Sequence, residues 1–299
     1  MKSGQMFWGF FLLTLGALFL LVKYDAIVSS FDFIWDIWPL IFVFWGAMVI
    51  FKQTVARPII NAAFGIFLAL LIFGLFNNLF GCFNFEFDET DRFAETYSQE
   101  YDASIKTANL QIDAGAGMFT INDTTSNLVD AKAHGILGEY DFHCEQADSV
   151  ANIDFHMHTK NFNLFRNKIR NQLNVRLNPK VAWDFDINLG ASKSKFDLTQ
   201  FDVRSFSLET GATSTKIKFG DRSQETNVDI KMGAASLTLE IPQTVGAEIN
   251  SSMALVAKSF DGFNKKSNGY YSTDNFDSAK KKIKINVDGG VSSFNIYRY

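Results

Sequence analysis

The sequence predicts an α-helical membrane N-terminus with three spans, followed by an all-β C-terminal domain. Three observations carry this. Long apolar runs fill the chain before residue 81, at Met6–Val22, Ile34–Phe51 and Ile59–Phe80. From Ile105 onward apolar and polar residues alternate at period two, the mark of half-buried strands. A short glycine-centred phrase recurs through that second part, as in stacked, solenoid-like coils. The expected divisions are a membrane block over 1–82, an acidic juxtamembrane linker over 83–104 and a β domain over 105–299.

An α-helical span takes about 20 apolar residues, within a range of about 17 to 25. Met6–Val22 has 17 residues without a charge. No small-residue cleavage site follows it, so it is expected to be retained. Ile34–Phe51 carries Asp36 near its start, and Trp38-Pro39-Leu40 opens its clean part. Pro39 suits a first helical turn, and Trp35 and Trp38 suit the headgroup level. Ile59–Phe80 is the longest run, with Pro58 just before it. Gly9, Gly16, Gly46, Gly65 and Gly74 allow close helix approach. Lys2, Lys52 and Arg57 fall on one side of the block, Lys23 and Arg92 on the other. That asymmetry predicts a cytoplasmic N-terminus, a multi-pass inner-membrane protein and an exoplasmic β domain. An interfacial second run would put the β domain in the cytoplasm instead.

Phe83–Asp102 is acidic with interspersed aromatics and reads as a linker, partly helical from Asp91 to Tyr101. Beyond it, Leu110-Gln-Ile112, Phe185-Asp-Ile187-Asn-Leu189, Val228-Asp-Ile230-Lys-Met232, Leu237-Thr-Leu239-Glu-Ile241 and Ile283-Lys-Ile285-Asn-Val287 are expected strands. A helix is expected only around Leu164–Asn171. The recurring phrase runs through Gly115, Gly190, Gly211, Gly233 and Gly289, the central three 21 and 22 residues apart. Glycine at a fixed point of each coil predicts a sharp corner or a bulge with positive φ. Gly220-Asp221, Asn250-Ser-Ser and Asp261-Gly262 have turn chemistry, and Asn122-Asp-Thr124 is also expected to be a turn.

Little of the chain carries reaction chemistry. A net charge of −4 gives no electrostatic case for nucleic acid. Two cysteines, Cys82 and Cys144, make no disulfide framework and are expected to be free thiols. All four histidines, His134, His143, His156 and His158, fall within 25 residues, with Cys144 beside His143. These are the residue types of a tetrahedral zinc site, but no Cys-x-x-Cys or His-Glu-x-x-His spacing supports one. Surface or half-buried histidines are the expected reading, with no cofactor. Asp184-Phe-Asp186 puts two carboxylates on one strand face, read as solvated, and no Gly-x-Ser-x-Gly elbow appears. No enzyme is expected. Lys280–Lys284 is read as a strand with lysines on its wet face. The loop Phe260–Tyr271 is rich in aromatics for an exposed turn. Phe260, Phe263, Lys265, Lys266 and Tyr270 are its candidate partner contacts, and free sheet edges are the alternative docking point.

Several stretches together resemble a known family. Gly9, Leu15-Gly16, Trp38-Pro39-Leu40 and Gly46 are similar to a LiaI/LiaF-type transmembrane region. Leu128–Gly135, Leu189-Gly190-Ala191, Phe196-Asp-Leu198, Ser207–Ala212 and Met232-Gly233-Ala234 are similar to the Toastrack-type β domain, also found at the C-terminus of LiaF and LiaG proteins. The resemblance implies a right-handed, single-coil β stack. It also implies a bacterial envelope-stress role beside a membrane sensor kinase or another stress-response membrane protein. It brings no catalytic residues, and the third span departs from its pattern. The expected function is a non-enzymatic accessory or regulatory protein. In it the membrane block senses the bilayer or binds a sensor, and the β domain serves as an assembly platform. The competing expectation is a structural or adhesin-like β module that forms homo-oligomers.

Overall fold

The structure, a computed structural model, describes residues 3–23, 37–54, 56–80, 95–135, 138–159, 171–253, 256–290 and 292–299. Cys82, Asp36 and the expected helix over 164–170 lie outside them. The chain divides into two compact units, one containing the N-terminal helices and the other the strands.

Three helices form the first unit: α1 (Ser3–Lys23), α2 (Leu40–Ile50) and α3 (Arg57–Phe80). α1 and α3 are long and apolar enough to cross a membrane. α2 has 11 residues, about 16 Å at about 1.5 Å per residue, roughly half of a hydrocarbon core of about 30 Å. Glycine sets the approach of α1 to α3. A Cβ on Gly65 would stand 2.5 Å from the Phe7 carbonyl oxygen, so only glycine lets the backbones meet there. Phe7 packs on Phe64 at 5.5 Å and Phe19 on Phe73 at 5.4 Å. Phe44 of α2 reaches Phe64 and Phe67, yet α2 buries none of its own residues.

The second unit is all β. Its central strands are β2 (Thr107–Thr124), β7 (Ala182–Leu198), β8 (Asp202–Phe219) and β9 (Glu225–Ile241), parallel and adjacent in that order. Their register shows how the chain runs. Ala182 lies beside Asp202 and Leu198 beside Phe219. A straight strand of 17 residues would be about 55 Å long at about 3.3 Å per residue. The link from Leu198 to Asp202 can span only about 13 Å. Each long strand therefore doubles back on itself, and the ladder shows where. Pairing is interrupted at Gly115, Gly190, Gly211 and Gly233, and burial changes phase there. In β7 the buried residues are Trp183, Phe185, Ile187 and Leu189 before the glycine, then Ser192, Ser194, Phe196 and Leu198 after it. One extra residue at the corner lets both halves turn their apolar side inward.

The halves of each rung then share one core. Phe196 and Phe206 meet at 5.9 Å, and Phe206 and Phe219 at 5.8 Å, across the space between first and second halves. Buried Trp183 donates its Nε1–H to the Asn178 carbonyl at 2.9 Å.

Further rungs flank these four. β5 (Val150–Thr159) and β6 (Asn171–Leu177) pair with the two halves of β2. β14 (Lys282–Gly289) and β15 (Ser292–Arg298) pair with the two halves of β9. β10 (Gly246–Met253) and β11 (Val256–Phe260) lie outside them. The C-terminal pair thus slots between β9 and strands that precede it in sequence. Antiparallel strands finish the ends. These are β4 (Gly138–Ala147) on β5, β3 (Val129–Gly135) with β1 (Glu95–Gln99) on β6, and β13 (Tyr270–Ser272) with β12 (Asn264–Ser267) on β10.

Four local expectations are corrected. Residues 95–99 are a strand rather than part of a helix, because Tyr97 packs against the core while Thr96 and Ser98 face out. Asn250-Ser-Ser lies inside β10 and Asn122-Asp-Thr124 ends β2, because ladder partners at Asn286 and at Leu177 hold them extended. The corner glycines have no positive φ, which occurs at Gly117, Gly262 and Gly269 instead. Their smallness is used for close approach. A Cβ on Gly211 would stand 2.9 Å from the Gly190 carbonyl oxygen, and one on Gly233 2.8 Å from that of Gly211. The strand with wet lysines is found at β14.

Candidate functional site

The glycine column is the floor of a trough of about 1040 Å³ that runs across the rungs. Its wall is set two residues before each corner. Asp113, Asn188, Glu209, Lys231 and Asp288 stand side by side on successive strands. Because side chains alternate along a strand, these five point outward, while Leu189 and Met232, one residue on, help line the base.

The wall is tied together and acidic. Asn188 Nδ2 donates to Asp113 Oδ1 at 2.8 Å, and Gln111 Nε2 donates to Asp113 Oδ2 at 2.7 Å. Lys231 Nζ donates to Glu209 Oε1 at 2.5 Å. That hydrogen bond, with the charges of Glu209, Asp229 and Asp288, raises the lysine's pKa. Asp186, one outward position before Asn188, has its carboxyl pushed up by partial burial, then by Asp113 and Glu209. Its expected partner on the strand, Asp184, accepts instead from Ser205 Oγ at 2.8 Å and from Arg204.

The second halves present a different surface. Lys193, Lys195, Lys216 and Lys218 project from β7 and β8, with Lys195 directly beside Lys216. Lys216 pairs with Glu240 at 2.6 Å, and Lys218 sits 4.3 Å over the Tyr299 ring. Tyr297 and Tyr299 lie at the margin of this face, 48% and 46% exposed. They are the large apolar side chains left exposed in the β unit among the described residues.

The histidines do not converge. His143 faces solvent on β4 and Cys144 turns the other way, half-buried against the core. Cys144 is a free thiol whose pKa is raised by burial and by Asp154. His156 and His158 share the outer face of β5, as their spacing predicts, with rings 5.0 Å apart. Each has an acidic neighbour: His143 bonds Glu145 at 2.9 Å, His158 bonds Asp141, and His156 lies 3.9 Å from Asp113. His134 is on β3, beside Gln172. Among the described residues no group of three or more His, Cys, Asp or Glu side chains could hold a metal ion.

Phe260, Phe263 and Tyr271 of the 260–271 loop turn inward. Phe260 meets Tyr271 at 4.8 Å and Phe294 at 4.9 Å, and Phe263 packs with them on the end of the core. Tyr270 donates to Glu248 at 2.7 Å. Lys265 and Lys266 remain exposed on β12. In the last rung Gly290 is the residue over Gly233, while Gly289 pairs with Met232.

The trough wall was not singled out from the sequence. Its signal was present, since all five wall residues stand two places before the glycine of the repeated phrase, or of Gly290.

Comparison with known proteins agrees with this architecture. The family described as LiaF transmembrane domain matches residues 7–86, and that described as N-terminal domain of toast_rack, DUF2154, matches residues 87–240. A solved structure described as a candidate cell adhesion protein from Clostridium sporogenes is 21% identical. It aligns over 69% of this chain and 98% of its own, with a TM-score of 0.64. That likeness shows the fold. A candidate adhesin from Bacteroides fragilis covers 68% of this chain and 98% of its own at 9% identity, but its TM-score of 0.27 carries no argument. No curated protein matches. With more than half of its length matched, the chain belongs to the toast_rack N-terminal domain family, carried behind a LiaF-type transmembrane domain.

Proposed function

We propose that this protein is a non-enzymatic, membrane-anchored accessory component of bacterial envelope-stress signalling. The membrane block, with three spans, follows the state of the bilayer or binds a membrane sensor kinase. The β domain, a right-handed β-solenoid on the exoplasmic side, is the platform for assembly. The observation that carries this reading is the pairing of a LiaF-type transmembrane domain with a toast_rack domain in one chain. The packing of the helices supports it. α2 buries none of its residues and leaves Phe42, Val43, Trp45 and Val49 exposed, an apolar surface suited to lipid or to another membrane helix.

The test is a topology reporter fused after Tyr299. An exoplasmic signal is expected, and a cytoplasmic one removes the outer-side platform. A second reading, a structural β module that associates with itself, is favoured by the unlike charge of its two faces and by the fold it shares with a protein described as a candidate cell adhesion protein. On the first reading the exposed part of the 260–271 loop, Lys265 and Lys266, is the proposed partner contact on the β domain. Pull-down unchanged by deleting residues 263–269 would show that the loop is not the contact.

A further inference from the structure

The β unit presents two outer faces that point away from each other, since the first and second halves of its rungs meet through Phe196, Phe206 and Phe219. The first-half face is acidic around a glycine-floored trough: Glu209, Asp229 and Asp288 surround Lys231, and Asp186 and Asp113 lie two and three strands further along. The second-half face carries Lys193, Lys195, Lys216 and Lys218, bordered by Tyr297. We propose that the acidic trough receives the lysine-and-tyrosine face of a second copy of this chain. The contact is head-to-tail. It rests on the self-association reading above and names the surfaces that reading lacks.

Three features point to that occupant. The first is charge complementarity between two faces of the same molecule, which orients and selects a partner. The second is shape. Where the corners are glycine the backbone is bare, and Met157, Leu189 and Met232 line the base. An aromatic ring can lie on such a floor between polar walls, and Tyr is enriched in interface cores. Tyr297 is exposed on that same face, next to Glu240, to supply it. The third is that the sheet end at β12 is poorly suited to joining. β12 has four residues, all exposed, with two lysines among them, and short charged edges resist edge-to-edge pairing. The faces are large enough. A half-strand of about 23 Å across seven rungs at about 4.8 Å gives roughly 700 Å², near the ~800 Å² per partner of a specific interface. Because unlike faces meet, each added copy leaves one of each free, so association is open-ended.

The test uses the full chain in detergent, measured by sedimentation at low salt and at about 1 M salt, where the screening length falls to about 3 Å. Wild type is expected to form concentration-dependent oligomers at low salt and to lose them at high salt. Lys195→Glu with Tyr297→Ala, and separately Glu209→Lys with Asp288→Lys, should each weaken association at least tenfold, about 1.4 kcal/mol or more. All four positions are exposed, and circular dichroism confirms folding. An equimolar mixture of the two variants retains one intact pair of faces and should form dimers and nothing larger. Wild type that stays monomeric overturns both this proposal and self-association. Oligomers that ignore both variants, or a mixture that stays monomeric, overturn the proposed faces and leave self-association standing.

Discussion

The glycine column makes a graded prediction. Gly233→Ala places a methyl group 2.8 Å from the Gly211 carbonyl oxygen and 3.5 Å from its carbon. Carbon and oxygen need about 3.3 Å or more, so adjacent rungs must part by about half an ångström in the middle of a continuous ladder. The obstacle is backbone and cannot rotate away. Overpacking of this kind costs about 1–3 kcal/mol. Ala also gains about 0.4–1 kcal/mol through a less disordered unfolded chain, and no positive φ adds strain. The net loss is therefore between about 0 and 2.6 kcal/mol, about 1.3 at the midpoint. Gly211→Ala, at 2.9 Å from Gly190, should behave alike. Gly115→Ala should not, because its methyl meets only the flexible Cε of Met157, at 3.3 Å. It should fall within about 0.5 kcal/mol of wild type. Urea unfolding of the full chain in detergent, followed by far-ultraviolet circular dichroism, measures the series. Equal stability of Gly115→Ala and Gly233→Ala would refute close approach as the reason for the column.

Other outcomes follow from single contacts. Phe206→Ala removes a ring packed against Phe185, Phe196 and Phe219, and should cost about 3–5 kcal/mol in the same unfolding assay. Burial alone would raise the Asp130 carboxyl, but hydrogen bonds from Ser98, Thr125 and Asn127 and the charge of Arg176 outweigh it and hold its pKa down. A depressed carboxyl stabilises above its ordinary value and stops doing so as pH falls through the folded one. Asp130→Asn should therefore cost about 1–3 kcal/mol at neutral pH, and flatten the loss of stability below about pH 4. The Tyr299 hydroxyl donates to the Phe219 carbonyl at 2.6 Å. Burial first, then nearby carboxylates, pushes its pKa up to about 12. Its contribution is present below the ordinary value of about 10 and lost as pH rises toward the folded one. Ultraviolet titrations of wild type and Tyr299→Phe should differ mainly near that upper value.

The strands and the phrase were readable because both are local. Alternation such as Phe185-Asp-Ile187-Asn-Leu189 reports one buried face whatever that face packs against. The runs of α1 and α3 were equally plain, since apolar length needs no partner, whereas the expected span Ile34–Phe51 is helical over Leu40–Ile50. What stayed hidden depends on neighbours. Tyr97 lies in an acidic stretch with linker composition, and its strand forms because β3 offers an edge. Nothing local announces that β14–β15 insert between β9 and β10–β11. The glycines were visible but their reason was not. Turn chemistry and close approach both select glycine, and only the Gly190 carbonyl beneath Gly211 tells them apart. The trough wall follows from the same register, because five residues at one place in the phrase become one row only when the rungs align.

On the proposed function, this chain works through a membrane partner bound by its helical block. The direct measurement is in-cell crosslinking and purification of the full chain, beside a chain whose residues 1–80 are replaced by unrelated spans. A membrane sensor kinase captured by the first and lost from the second is the predicted result. Capture by neither, or equal capture by both, would contradict it.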